Sequence, residues 1–134
     1  MVTILDTNIL IDMAHHENDL FVAMNDVLNQ NPAITVINKY EFLRGIFISN
    51  STKEKKEKQI SFLNQFMVYS FTPNTVQHCA ELYSRLRKNG RLINELDILI
   101  LGICVENRLS LITNDHDFDG MDQITGINIK VLNY

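Results

Sequence analysis

Cysteine is scarce, and its scarcity excludes a good deal. The two present, Cys79 and Cys104, fall in separate helical patterns and form no ligand-like pair. A disulfide framework or a thiolate metal site is therefore not expected, and both read as reduced, buried, small hydrophobes. Long apolar runs are also missing. Nothing approaches the roughly 18 uninterrupted apolar residues of a membrane helix. Asp6 and Asp12 interrupt what would be the apolar part of a signal peptide, so a cytoplasmic protein without a membrane partner is expected. Positive charge is not in excess. With 12 Lys and Arg against 16 Asp and Glu, the net charge of −4 argues against broad, non-specific nucleic-acid affinity. It leaves a nuclease open, because carboxylates gathered round cations would carry much of that charge. Internal repeats, linkers and low-complexity stretches are absent too. At 134 residues and 46% hydrophobic content, the expectation is one soluble domain, residues 1–134, with a real core.

What is present alternates between strand and helix patterns. Val2 to Leu5 reads as a buried strand and Asn8 to Ala14 as a short helix. Asp19 can cap a second helix with Leu20, Met24, Val27 and Leu28 on one face, ended by Pro32. Ile34-Thr35-Val36-Ile37 reads as a strand, after which Asn38 opens a helix carrying Tyr40, Phe42, Leu43 and Phe47. From Thr52 a charged helix follows, with Lys53–Glu57 and Glu54–Lys58 spaced for a solvated face. Val68 to Phe71 suits a short strand. Thr72-Pro73 then starts a helix whose stripe is Val76, Cys79, Ala80 and Tyr83. Asn94 to Asn107 is apolar on nearly all sides, which describes a buried helix. Leu109 to Thr113 and Ile127 to Leu132 are the last strands. Strands separated by helices imply right-handed crossovers and a mainly parallel sheet covered on both faces.

Four acids stand in otherwise apolar or turn surroundings: Asp6, Glu41, Asp97 and Asp115. Each has an ordinary structural explanation. Asp6 can cap the helix near Asn8; Glu41 after Asn38, and Asp97 after Asn94, can each complete a capping box. Asp115 can make an Asx-turn. Together they are harder to dismiss. Asp6 and Asp115 follow apolar strands at the same sheet edge, where open α/β sheets build their sites. Glu41 and Asp97 open helices that start near that edge. Carboxylates so gathered repel one another unless cations neutralise them. An oxygen-only donor set favours Mg²⁺ or Mn²⁺ over zinc and suggests metal-assisted hydrolysis of a phosphate ester.

The motifs that carry these acids resemble those of PIN-domain ribonucleases, most closely the small VapC-type toxins of toxin–antitoxin pairs. The likeness rests on Asp6-Thr7-Asn8-Ile9-Leu10, Tyr40-Glu41-Phe42-Leu43-Arg44-Gly45, Asp97-Ile98-Leu99-Ile100-Leu101 and Thr113-Asn114-Asp115-His116-Asp117-Phe118. It covers essentially the whole chain. It implies a PIN-like three-layer α/β/α fold with a mainly parallel central sheet, and a Mg²⁺- or Mn²⁺-dependent endoribonuclease. Asp6, Glu41, Asp97 and Asp115 would be its catalytic, metal-binding acids. Asp117 would be an auxiliary acid, with Thr7, Asn8 and Thr113 as polar supports. Asp115 and Asp117 both fit as the acid of the last motif, and Asp115 is preferred because it is nearer the strand end. The family also implies an RNA substrate, a cognate antitoxin in the active-site groove, and a homodimer.

Other candidates carry less. His15 and His16 sit in a polar loop, His78 falls on an outer helix face, and His116 reads as a turn residue. Arg85, Arg87, Lys88 and Arg91 form the best basic cluster and are candidate contacts to an RNA backbone. Three rivals remain. A haloacid-dehalogenase-like phosphatase needs a second aspartate at position 8, which is Asn8 here. A non-catalytic binding domain on the same scaffold sits poorly with intact acids. An RNA-maturation nuclease without an antitoxin would differ from a toxin in its gene neighbourhood.

Overall fold

In the computed structural model, which describes residues 1–15 and 31–133, the described strands form a single parallel sheet. Its strands are β1 (Thr3–Leu5), β2 (Pro32–Thr35), β3 (Met67–Tyr69), β4 (Ser110–Thr113) and β5 (Ile129–Val131), in the spatial order β3-β2-β1-β4-β5. The helices are α1 (Thr7–Ala14), α2 (Val36–Ile48), α3 (Lys53–Leu63), α4 (Pro73–Lys88), α5 (Glu95–Asn107) and α6 (Met121–Thr125), with a 3₁₀ turn at His116–Phe118. β1 is central, pairing Thr3 with Pro32 on one side and with Ser110 on the other. Two chain directions diverge there, which makes the gap beyond β1 and β4 the topological switch point of the sheet.

Strand alternation sorts the core into two layers. Ile4, Ala33 and Leu111 point to the face covered by α4, α5 and α6, where Cys79, Leu82, Leu86, Leu101, Cys104 and Met121 pack. Leu5, Ile34 and Ile112 point the other way, onto Ile9 and Leu10 of α1, Phe42 and Ile46 of α2, and Leu63 of α3. The result is the three-layer α/β/α fold expected from the sequence. None of the described helices is long and apolar enough to cross a membrane.

Several boundaries move from their expected places. The β-branched run Ile34 to Ile37 divides at Thr35: Thr35 caps α2 and Val36 is already helical. A reciprocal pair of bonds causes this, because Thr35 Oγ1 accepts from the Asn38 N–H at 3.2 Å while Asn38 Oδ1 accepts from the Thr35 N–H at 2.9 Å. Asn38 is therefore the third helical residue, not the cap. Pro32 begins β2. In α4 the buried stripe is Thr75, Cys79, Leu82 and Leu86, while Val76, Ala80 and Tyr83 are exposed. Thr75 is turned inward by its bond to Glu106 at 2.9 Å, and Cys79 by the close approach of Gly102. His78 is half-buried. The charged helix forms as expected, with both four-apart ion pairs at 3.9 Å. The helix expected after Asp19, and His16 with it, lie outside the described residues.

Candidate functional site

Asp6 is the hub of the switch point. It leaves the carboxyl end of β1 in extended conformation and caps α1, so its side chain stays beside its own backbone. Oδ1 accepts from the Thr7 N–H at 2.9 Å, and Oδ2 from the Thr113 hydroxyl at 2.7 Å. Only 6% of the residue is exposed. Burial raises its pKa; the bonds from Thr113 and Thr7 oppose that, and the charges of Glu41 and Asp115 add to it.

Glu41 reaches the same place from α2. Its Oε1 accepts from the Thr7 hydroxyl at 2.7 Å, and Thr7 Oγ1 in turn accepts from Asn38 Nδ2 at 3.1 Å. Asn38 is thus both a helix-start residue and part of the site. The Thr35-x-x-Asn38 spacing carried that signal, but nothing in the sequence pointed it at Thr7. Glu41 completes no capping box. Asp115 belongs to the loop after β4, where its N–H donates to Thr113 Oγ1 at 3.1 Å and its Oδ1 accepts from the Asp117 N–H at 2.9 Å. It makes the expected Asx-type turn while standing among the other acids.

Asp97 lies in the first turn of α5, which Asn94 caps alone by accepting from the Leu96 N–H at 2.9 Å. Among the described residues no protein donor bonds its carboxylate. Burial first, then the charges of Asp6, Glu41, Asp115 and Asp117, push its pKa to about 7. Asp97 is therefore the residue on which the whole cluster acts. Asp115 weighs on both Asp6 and Asp97, whereas Asp117 weighs on Asp97 only. The ion pairs among the described residues, Lys53–Glu57, Lys58–Glu54 and His116–Asp119, involve none of these acids. Also among the described residues, no three His, Cys, Asp or Glu side chains are already drawn in tightly enough to hold an ion. The donor set nevertheless suits a hard cation: it is all oxygen, negatively charged, and uncompensated by Lys or Arg.

The other candidates separate. Asn8 is exposed in the first turn of α1, and among the described residues no bond joins it to the acids. His116 is exposed and pairs with Asp119 at 3.0 Å. In the basic cluster Arg85 bonds the Ile124 carbonyl at 3.4 Å and Arg87 the Tyr83 hydroxyl at 3.1 Å, while Lys88 is exposed. Arg91 alone reaches the acid-bearing loop, donating to the Asp117 carbonyl at 2.7 Å. Cys79 and Cys104 are free and buried, and burial pushes the Cys104 thiol up to about 12, so both are inert packing groups.

Comparison with known proteins bears on the fold and the family. Ribonuclease VapC2 of Rickettsia felis is 25% identical over 117 residues, covering 86% of this chain and 87% of that protein. Among solved structures, VapBC2 from Rickettsia felis, bound to a DNA fragment from its promoter, superposes with a TM-score of 0.84 at 22% identity, over 99% of this chain and 100% of that one. FitAcB from Neisseria gonorrhoeae gives 0.79 at 17% identity, covering 97% and 96% of the two chains. These structures share the fold. The PIN domain family model matches residues 3–124, nearly the whole of the sheet and every acid of the cluster, and the chain belongs to the PIN-domain family.

Proposed function

We propose that this chain is a divalent-cation-dependent endoribonuclease, one PIN domain over residues 1–134, acting as the toxin of a toxin–antitoxin pair. One observation carries the nuclease reading: Asp6, Glu41, Asp97 and Asp115 gather at one sheet edge, and none of them is in an ion pair among the described residues. Burial first, and then these charges, push the Asp97 pKa to about 7, and a bound cation would offset the repulsion among them. The similarity to a protein named as a ribonuclease, and to chains solved as VapBC complexes, supports it. Asp6, Asp97 and Asp115 would hold Mg²⁺ or Mn²⁺, with Glu41 holding a second ion or its water. Such a cation polarises a phosphodiester and makes water a nucleophile near neutral pH.

The chain's own residues set the geometry for that step. Thr113 and Thr7 hold the Asp6 and Glu41 oxygens in place, so these two carboxylates are already oriented when substrate arrives. In the cation-free protein the Asp97 carboxyl holds a proton up to about pH 7, and filling the site would displace it. Asp117 is the auxiliary acid, and of the basic cluster Arg85, Arg87 and Lys88 would contact the RNA backbone, whereas Arg91 is engaged with the Asp117 carbonyl. An antitoxin would block the cluster with an inserted arginine, whose planar fork matches carboxylates. Self-association is supported by the outward face of α2, where Tyr40, Phe47 and Ile48 are exposed.

The test is cleavage of RNA with Mg²⁺ or Mn²⁺, with EDTA, and by Asp97→Asn. Activity lost in EDTA and reduced more than about a hundredfold in the variant is expected, since even outer-shell partners of a metal cost up to that much. Full activity in EDTA would overturn the reading. Toxicity on expression, relieved by co-expressing a small basic neighbour, is expected of a toxin; a harmless chain that cleaves RNA would leave RNA processing as its role.

A further inference from the structure

Both backbone polar groups of Asp117, in the acid-bearing loop, are held by side chains. The Asp117 N–H is held by Asp115 Oδ1 at 2.9 Å, and the Asp117 carbonyl by Arg91 Nη2 at 2.7 Å. Arg91 is itself fixed. It follows Gly90, whose φ of +71° turns the chain out of α4, and its N–H bonds the Leu86 carbonyl at 2.9 Å. From there the chain runs directly into α5 and Asp97. The two segments face each other across a narrow cleft lined by Ile93, Asp97, Asp117 and Phe118. Phe118 anchors the loop from beneath, 2% exposed in the core. Arg91 ties the Asp117 side of the cleft to the segment that leads into α5.

We propose that Arg91 is a positioning residue, fixing how far Asp115 and Asp117 stand from Asp97; the inference rests on the proposed cation site. Its bond is charge-assisted and so about twice as strong as a neutral one. It does not act by neutralising an acid, since among the described residues no carboxylate pairs with it. Arg85 and Arg87, on the same stretch of chain, turn to Ile124 and Tyr83 and cannot replace it.

Two effects of removing Arg91 have opposite signs. Deleting a cation beside clustered carboxylates strengthens binding of another cation by Coulomb's law. Loosening the loop weakens it. The experiment is calorimetric titration of the metal-free full chain with Mn²⁺, for wild type, Arg91→Gln and Arg91→Lys, alongside RNA cleavage at varied Mn²⁺. Expected is a loss of Mn²⁺ affinity of about tenfold or more in Arg91→Gln, the scale for outer-shell partners. Arg91→Lys should recover most of it, because an ammonium can donate to the same carbonyl. In cleavage, Arg91→Gln should raise the Mn²⁺ needed for half-maximal rate far more than it lowers the rate at saturation. Should Arg91→Gln not fold, Arg91→Met keeps the apolar stem and decides in the same way. Equal or tighter Mn²⁺ binding in the folded variant overturns the role while leaving the cation site intact. Absence of Mn²⁺ binding to wild type overturns both.

Discussion

Thr113 donates its hydroxyl to Asp6 across 107 positions of sequence, at 2.7 Å, and neither group is open to solvent. The same oxygen accepts from the Asp115 N–H, so one threonine couples the central strand to the loop after β4. Replacing it with valine keeps the shape and removes both functions. Thr113→Val should fold, should raise the Asp6 pKa further by withdrawing a donor, and should weaken Mn²⁺ binding about tenfold or more. Calorimetry checks this, and unchanged affinity would remove Asp6 from the ligand set.

The raised carboxyls set a pH dependence. Asp97 titrates near 7 in the folded chain and at 3.8 as a free group, so the native state binds its proton more tightly than the unfolded state does. Metal-free stability should therefore fall as pH rises from about 4 through 7, and stay low above that; Asp6 is shifted in the same direction. Melting at pH 5 should exceed melting at pH 8. Asp97→Asn should flatten the slope, and saturating Mn²⁺ should raise melting more at pH 8 than at pH 5. A wild-type profile that rises across this window would contradict the clustering.

Asn38 serves two elements at once. Asn38→Ala removes its bonds to the start of α2 and to Thr7, and leaves the Thr7 hydroxyl with one partner fewer. A loss of about 2 kcal/mol is expected, adding a cap to a buried hydrogen bond. Glu41 should also become less ordered. Chemical denaturation measures the first effect, and Mn²⁺ affinity the second.

Gly102 has no room for a methyl group, because a Cβ there would overlap Cys79 Sγ on α4. Gly102→Ala should cost about 1–3 kcal/mol by overpacking. Adding Cys79→Ala should restore much of that loss, since the obstacle is the sulfur itself. A double-mutant cycle with no coupling would place the strain elsewhere.

Much of this was legible from residue order. Asp6, Asp97 and Asp115 fall where strand ends or a helix start meet one sheet edge, while Glu41, expected in a first helical turn, reaches the same place from the second turn of α2. Their roles as structural residues and as a cluster proved compatible: Asp6 is a cap and Asp115 a turn former within the site. The boundaries were less legible. Ile34 to Ile37 is β-branched throughout, so propensity alone extends the strand, while the Thr35–Asn38 bonds end it. The α4 stripe was misplaced because Thr75 is polar and its burial depends on Glu106, from another helix. Asn38 and Arg91 took their places through partners distant in sequence, Thr7 and Asp117, which no local pattern encodes.

The central position of β1 also bears on the order in which the protein is made. A ribosome that has reached Asn107 has already delivered Asp6, Glu41 and Asp97, but β4 does not yet exist. One flank of β1 is then unpaired, and Asp6 lacks the Thr113 hydroxyl that aims it. Closing that flank joins the second-last strand to the first, a long loop whose entropy must be met before the contact forms. The central pairing of the sheet and the acid cluster are thus joined by one late event, after which only β5 remains to be added. A nascent chain that ends before β4 therefore holds Asp6, Glu41 and Asp97 without the strand and the hydroxyl that align Asp6.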